Sequence, residues 1–173
     1  MPSPLVSDPT QISPLAAQNN PQPQPSVQDI DRQNATANAF ASGKYYKDAA
    51  GNMQIIPPSK FDEATKTMQL NPQEQALYQL HLQNLYGQGG VNNPDGTRST
   101  LYQITAEIDG KTYVIPTVWS GQIVPPDKAI QLAKQKGLDT FPSYADDKAA
   151  EARYRQMHGY MEQDTAAYQK RRR

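Results

Sequence analysis

The sequence predicts an α+β fold, a small antiparallel β-hairpin or meander packed with three helices, behind an extended Pro/Gln-rich N-terminal arm. Three observations predict it. Seven of the 15 prolines crowd into the first 25 residues, at positions 2, 4, 9, 14, 21, 23 and 25. Residues 100–119 alternate apolar and polar around Asp109-Gly110, a two-residue hairpin signal. Around them, three segments of helical periodicity begin at recognisable caps and end at glycine or a basic run.

The arm, residues 1–25, carries one charged side chain, Asp8. Proline removes backbone donors and fixes φ, so an extended polyproline-like or unstructured segment is expected. Leu5, Val6, Ile12 and Leu15 are its candidate anchors on a partner. Residues 26–69 read as a connector region. Ser26 with Asp29 resembles a capping box, Val27, Ile30, Ala37 and Phe40 form a sparse apolar stripe, and Gly43 suits the helix end. A short hairpin follows over 44–56, with Gly51 in its loop, stopped by Pro57 and Pro58.

The globular module is expected over 70–168. Asn71-Pro72-Gln73-Glu74 supplies a cap, a proline at the first helical position and an acid at the third, and the helix runs to Tyr86. After the Gly87–Gly90 loop and the Pro94-Asp95-Gly96 turn comes the hairpin. Its turn sets a register in which Ile108 opposes Lys111, Ala106 Tyr113, Ile104 Ile115 and Tyr102 Thr117. Tyr102, Ile104, Ala106, Tyr113 and Ile115 then share a core face. Gln103, Thr105, Glu107 and Thr112 take the other face, with Leu101, Val114 and Val118 partly apolar. Pro116 places its strand at an edge or marks a bulge. Ser120-Gly121 turns into a short strand over 122–124. A helix over 126–136 ends at Gly137. Ser143 and Asp146 cap the last helix, of about 25 residues, whose stripe is Ala150, Tyr154, Met157, Met161 and Tyr168. Residues 169–173 form a basic tail.

Composition excludes several function classes. Seventeen basic and seventeen acidic side chains cancel, so no net field favours nucleic acid or an anionic membrane. With no cysteine there is no disulfide, thiol nucleophile or cysteine-based metal site. Apolar runs of four or five residues are far below the ~20 a spanning helix needs. Residues 1–25 show neither the basic cluster nor the apolar run of a secretory signal, so a soluble, unanchored chain is expected.

No catalytic, cofactor or metal-binding residue stands out. His81 lies mid-helix; His158 and Glu162, four apart, read as an exposed helix pair rather than an acid–base couple. Glu107, Glu151 and Glu162 fall on solvent-facing positions or beside basic residues, unlike the desolvated acid of a glycosidase. Gly87-Gln88-Gly89-Gly90 lacks the Gly-Lys-Ser/Thr of a phosphate loop, and Trp119-Ser120-Gly121-Gln122 is no nucleophile elbow. The interaction candidates are Trp119 and the basic end Lys170, Arg171, Arg172 and Arg173. That end reads either as a solvated terminus or as a contact to nucleic acid or an acidic partner.

Several separated motifs occur in an order that resembles a small module of tailed-bacteriophage proteins. They are Asn93-Pro94-Asp95-Gly96-Thr97-Arg98-Ser99-Thr100, Asp109-Gly110-Lys111, Ile115-Pro116-Thr117-Val118, Phe141 and Met157-His158. The resemblance covers residues 71–168, a little over half the chain, and supplies no catalytic residue. Proteins with this module are usually described as virion-associated, structural or ejected internal proteins, sometimes fused to peptidoglycan-cleaving domains. What the resemblance implies is a non-enzymatic virion component, docking on portal, connector, tail or capsid subunits in several copies. It would be synthesised in the host cytoplasm and carried in the virion. The alternatives are an internal protein ejected with the genome, touching DNA weakly through its basic end, and a peptidoglycan-binding or lytic accessory protein.

Overall fold

The computed structural model describes residues 26–172; the arm over 1–25, with its four anchors, and Arg173 lie outside the described residues. The elements are α1 (Val27–Ala41), β1 (Tyr45–Lys47), β2 (Met53–Ile55), α2 (Phe61–Met68), α3 (Pro72–Tyr86), β3 (Val91–Asn92) and β4 (Arg98–Ser99). There follow β5 (Gln103–Ile108), β6 (Lys111–Pro116), β7 (Val118–Trp119), β8 (Gln122–Ile123), α4 (Pro126–Lys136), β9 (Ser143–Tyr144) and α5 (Asp147–Arg171). Helices and small antiparallel sheets together make the expected α+β fold.

Local chemistry explains most boundaries. Ser26 and Asn71 each accept from the third helical amide, while Asp29 and Glu74 return a bond to the cap amide, so both capping boxes form. Asp109 and Gly110 take φ of 51° and 74°, and Ser120 and Gly121 take 50° and 75°. Two successive left-handed residues match the twist of paired strands, so both hairpins close tightly. The register of β5 on β6 is the expected one, from Gln103 opposite Pro116 to Ile108 opposite Lys111.

Strand β6 is central, flanked by β5 and β9, and organises two cores. Successive side chains of a strand point to opposite faces. Val114 therefore enters the larger core, with Ile56, Phe61, Ala64, Leu77, Tyr78, Leu82, Ala150, Met157 and Met161 from the segments around and within α2, α3 and α5. Ile115 enters the smaller one with Ala129, Ala133 and Phe141, against which Ile104, Ala106 and Tyr113 pack. Ile56, Phe61 and Ala64 show that the packed unit takes in residues before position 70.

Five details depart from the sequence reading. Helix α2 carries Phe61 and Ala64 into the larger core, a fourth packed helix where three were expected. Pro116 is not on an edge strand: it ends the central strand, beyond Thr112 and Tyr113 where β9 pairs, so its missing donor interrupts no ladder. Thr112 and Val114 are buried, because α5 covers the face expected to be mostly polar. Tyr102 is 67% exposed rather than in the core. Its φ of 43° turns the chain just before β5, so its carbonyl still accepts from Thr117 while its ring swings outward. Ser143 lies in β9, and Asp146 alone caps α5 through the Ala149 amide at 2.7 Å.

Two buried polar clamps tie the helices. Glu74 is 1% exposed and meets Arg153 through Nε–Oε1 at 2.6 Å and Nη2–Oε2 at 2.9 Å. Tyr144 donates to the same carboxylate at 2.9 Å, and Arg153 also caps the Met68 carbonyl at 2.8 Å. Asp164 on α5 accepts from the Tyr78 hydroxyl at 2.7 Å and the Lys60 amide at 2.8 Å. Burial raises the Asp164 pKa from its ordinary value, and these two bonds oppose it.

Candidate functional site

Helix α5 is long enough to extend one face beyond the core. Tyr154, His158, Glu162, Thr165, Gln169 and Arg172 follow spacings of four, four, three, four and three, which align them along one side. The segment from Asn92 to Gln103 lies opposite. Between the two run a cleft of about 440 Å³ and another of about 580 Å³, and Arg98 and Gln169 line both. They form adjoining parts of one groove.

At the floor of the first cleft sits His81, 2% exposed, delivered there by α3. Its Nδ1 lies 2.7 Å from Thr100 Oγ1, and Asn84, one turn further along α3, donates to the Thr100 carbonyl at 2.7 Å. The imidazole Nε2 is buried and has no hydrogen-bond partner among the described residues. A buried hydroxyl must donate somewhere, and Nδ1 is the acceptor Thr100 has, which leaves the proton of the neutral ring on Nε2. Burial, with a smaller contribution from the nearby His158, lowers the His81 pKa to about 3. A ring that weakly basic is a poor acceptor for a hydroxyl proton near neutral pH, and among the described residues no carboxylate bonds it. The Thr100–His81 pair, with Asn84, pins the groove wall to α3. His158 and Glu162 meet at 3.4 Å on the exposed rim.

Arg98 divides the two clefts. It is partly buried, and its guanidinium donates to three neutral oxygens: Asn84 O at 3.0 Å through Nε, Asn92 Oδ1 at 2.5 Å and Gly87 O at 2.5 Å. It makes no ion pair with a carboxylate among the described residues. Burial lowers its pKa, Tyr168 opposes this and the charge of Arg172 adds to it, yet a guanidinium stays protonated at neutral pH. The glycines that looked like a phosphate loop serve this seat. A Cβ on Gly90 would lie 2.5 Å from Asn84 O and 2.7 Å from Arg98 Nε, and one on Gly89 would lie 2.0 Å from Asn84 Oδ1.

The residues singled out in the sequence are dispersed. Trp119 is half-buried, donates from its indole to Pro116 O at 2.6 Å and packs on Phe141 at 6.3 Å, so its polar group is spent within the chain. Lys170, Arg171 and Arg172 are exposed in the last turn and cap of α5, and Arg172 alone of these reaches the groove, where Tyr168 accepts from it at 2.9 Å. Leu5, Val6, Ile12, Leu15 and Arg173 lie outside the described residues. Sequence reasoning missed His81, Thr100 and Arg98 as groove residues. The one available signal was the continuation of polar residues at helical spacing along α5 past the core stripe.

A second surface is formed by α1 and β2. Helix α1 buries none of its residues. Val27 is 75% exposed, and Ile30 and Phe40 are exposed too. The helix touches β2, where Met53 and Ile55 are also exposed, and Phe40 meets Tyr45 edge-on at 5.6 Å. Among the described residues no helix is long and apolar enough to cross a membrane, and no cluster of His, Asp or Glu is arranged to hold a metal ion. No family model, curated protein or solved structure matches the chain.

Proposed function

We propose that the chain is a non-enzymatic structural protein of a tailed-phage virion, docking on neighbouring subunits through its N-terminal region and α+β module. The observation that carries this reading is α1, a 15-residue helix with no buried residue and exposed Val27, Ile30 and Phe40 beside Met53 and Ile55 of β2. An isolated helix of that length is marginal in water, and tertiary burial is what normally holds one. A neighbouring subunit seated on α1 and β2 supplies that burial, in the apolar, charge-poor manner of an interface core. The ordered motifs from Asn93 to His158 support the setting of a phage particle. The Pro/Gln segment preceding α1 adds a second, tethered contact, which raises effective concentration without requiring either contact to be tight. The neutral, buried His81 agrees with a binding rather than a proton-transferring role.

The module's two cores do not depend on the α1 face, so the two can be separated by mutation. Ile30→Ser with Ile55→Ser should leave the thermal melt of the purified protein within about 2 °C of wild type, since both residues are already exposed. The same pair should sharply reduce incorporation into particles. Normal incorporation with an unchanged melt would remove the docking face from the proposal. Cell-wall lysis by the purified protein, abolished by Glu162→Gln, would replace it with an enzyme.

A further inference from the structure

The second cleft has an electrostatic character that the docking proposal leaves unused. A partly buried cation normally finds a carboxylate, because taking a charge out of water without a counter-charge is costly. Arg98 instead spends three of its five N–H groups on carbonyl-type oxygens, which fixes the plane of the guanidinium and leaves two N–H groups uncommitted. Arg172 closes the same cleft from α5, with its guanidinium placed over the Tyr168 ring at 5.5 Å and bonded to the Tyr168 hydroxyl. Two guanidinium groups thus converge on one cavity, close enough for the charge of Arg172 to disfavour that of Arg98. Their mutual repulsion is relieved by an anion between them, and fork-shaped donors suit an oxyanion.

The rim limits what carries the anion. Asp95 lines the cleft, and its Oδ1 already accepts the Thr97 amide at 2.9 Å and the Thr97 hydroxyl at 2.6 Å. Those bonds hold its pKa below the ordinary value, so it is an ionised acceptor at neutral pH. Its Oδ2 accepts from no donor among the described residues and is open to one from the cleft. The cavity, at about 580 Å³, is several times the size of a lone phosphate and has room for a hydroxyl-bearing group attached to it.

From this arrangement we infer that the cleft between the Asn92–Arg98 turn and the end of α5 binds a sugar phosphate. The oxyanion sits between Arg98 and Arg172, and a sugar hydroxyl donates to Asp95. The shared chemistry is a phosphate ester on a polyhydroxyl ring, whether free in solution or at the end of a nucleic-acid strand. This inference does not rest on the docking proposal.

Titration of the full-length protein with ribose 5-phosphate, inorganic phosphate and ribose, followed by amide and guanidinium NMR shifts, tests it. Saturable binding of ribose 5-phosphate is expected, with weaker binding of phosphate and none of ribose. Perturbations should centre on Thr97, Arg98 and Gln169. Arg172→Gln, at an exposed position that leaves the fold intact, should weaken binding about tenfold, and Lys148→Gln, at the far end of α5, should not. Arg98→Gln should abolish it. A 5′-phosphorylated deoxyoligonucleotide binding more tightly than ribose 5-phosphate, and losing that advantage without its phosphate, would assign the source as a strand end. No saturable binding, equal binding of ribose, or equal weakening by Lys148→Gln and Arg172→Gln would each overturn the site. Phosphate binding as tightly as the ester would remove the sugar from it.

Discussion

Replacing Arg153 by Met should destabilise the protein far more than an ordinary surface substitution. Glu74 is 1% exposed and Arg153 faces it with two bonds of 2.6 and 2.9 Å. Breaking a buried ion pair by removing one partner costs about 3–5 kcal/mol, because the remaining charge is stranded. The Arg153 side chain is 25% exposed, and Glu74 keeps the Asn71 amide and the Tyr144 hydroxyl as donors, so the lower end applies, about 3 kcal/mol. For a domain of this size that is a fall in Tm of about 6–12 °C. Urea unfolding followed by far-UV circular dichroism and by the single tryptophan, which reports from the smaller core, measures it. Burial pushes the Glu74 pKa up, but Arg153, the Asn71 amide and Tyr144 outweigh it and hold the pKa below its ordinary value. In the wild type this group therefore contributes stability above the ordinary carboxylate range, and that contribution is lost as pH falls through its folded pKa. In Arg153→Met the burial effect loses its chief opponent, so the gap between variant and wild type should be wide at neutral pH and narrow in acid. Combining Arg153→Met with Glu74→Gln leaves no stranded charge and should recover about 1–2 kcal/mol. A single-variant cost below about 1 kcal/mol, or a gap independent of pH, would refute the clamp.

Two further outcomes follow from the groove. Burial lowers the His81 pKa to about 3, below its ordinary value, so the unfolded chain binds a proton that the folded protein refuses. Wild-type stability should fall as pH drops below the ordinary histidine value, by up to about 1.4 kcal/mol per pH unit, and His81→Gln should lack that component when urea midpoints are compared across pH. Gly90→Ala should cost about 1–3 kcal/mol and weaken ribose 5-phosphate binding, because its Cβ would wedge between Asn84 O and Arg98 Nε. Gly159→Ala, whose Cβ meets nothing within 4 Å in mid-α5, should instead stabilise the protein by about 0.5–1 kcal/mol in the same denaturation assay.

What was legible in the sequence was mostly short-range. The capping box at Asn71 and the turn at Asp109-Gly110 are decided within four residues, so the start of α3 and the register of β5 on β6 could be read directly. Helix α2 escaped notice because Lys60 makes no side-chain cap and Gln69, not glycine, takes the left-handed position that ends it. Glu74 was readable as a capping residue, but its second role depends on Arg153, far along the chain on α5, and no local pattern announces such a pairing. The groove is a similar case. The α5 face is visible as helical spacing, whereas the opposing wall exists because α3 holds Thr100 through His81 and Asn84 and holds Arg98 through the Asn84 carbonyl. The outward turn of Tyr102 comes from one positive φ, which a period-two pattern cannot anticipate.

The most direct test of the docking proposal is the position of this chain in an intact particle, seen by electron microscopy at side-chain resolution. The predicted result is a neighbouring subunit covering Val27, Ile30 and Phe40 of α1 together with Met53 and Ile55 of β2. A particle in which that face points into solvent, or from which the chain is absent, would contradict it.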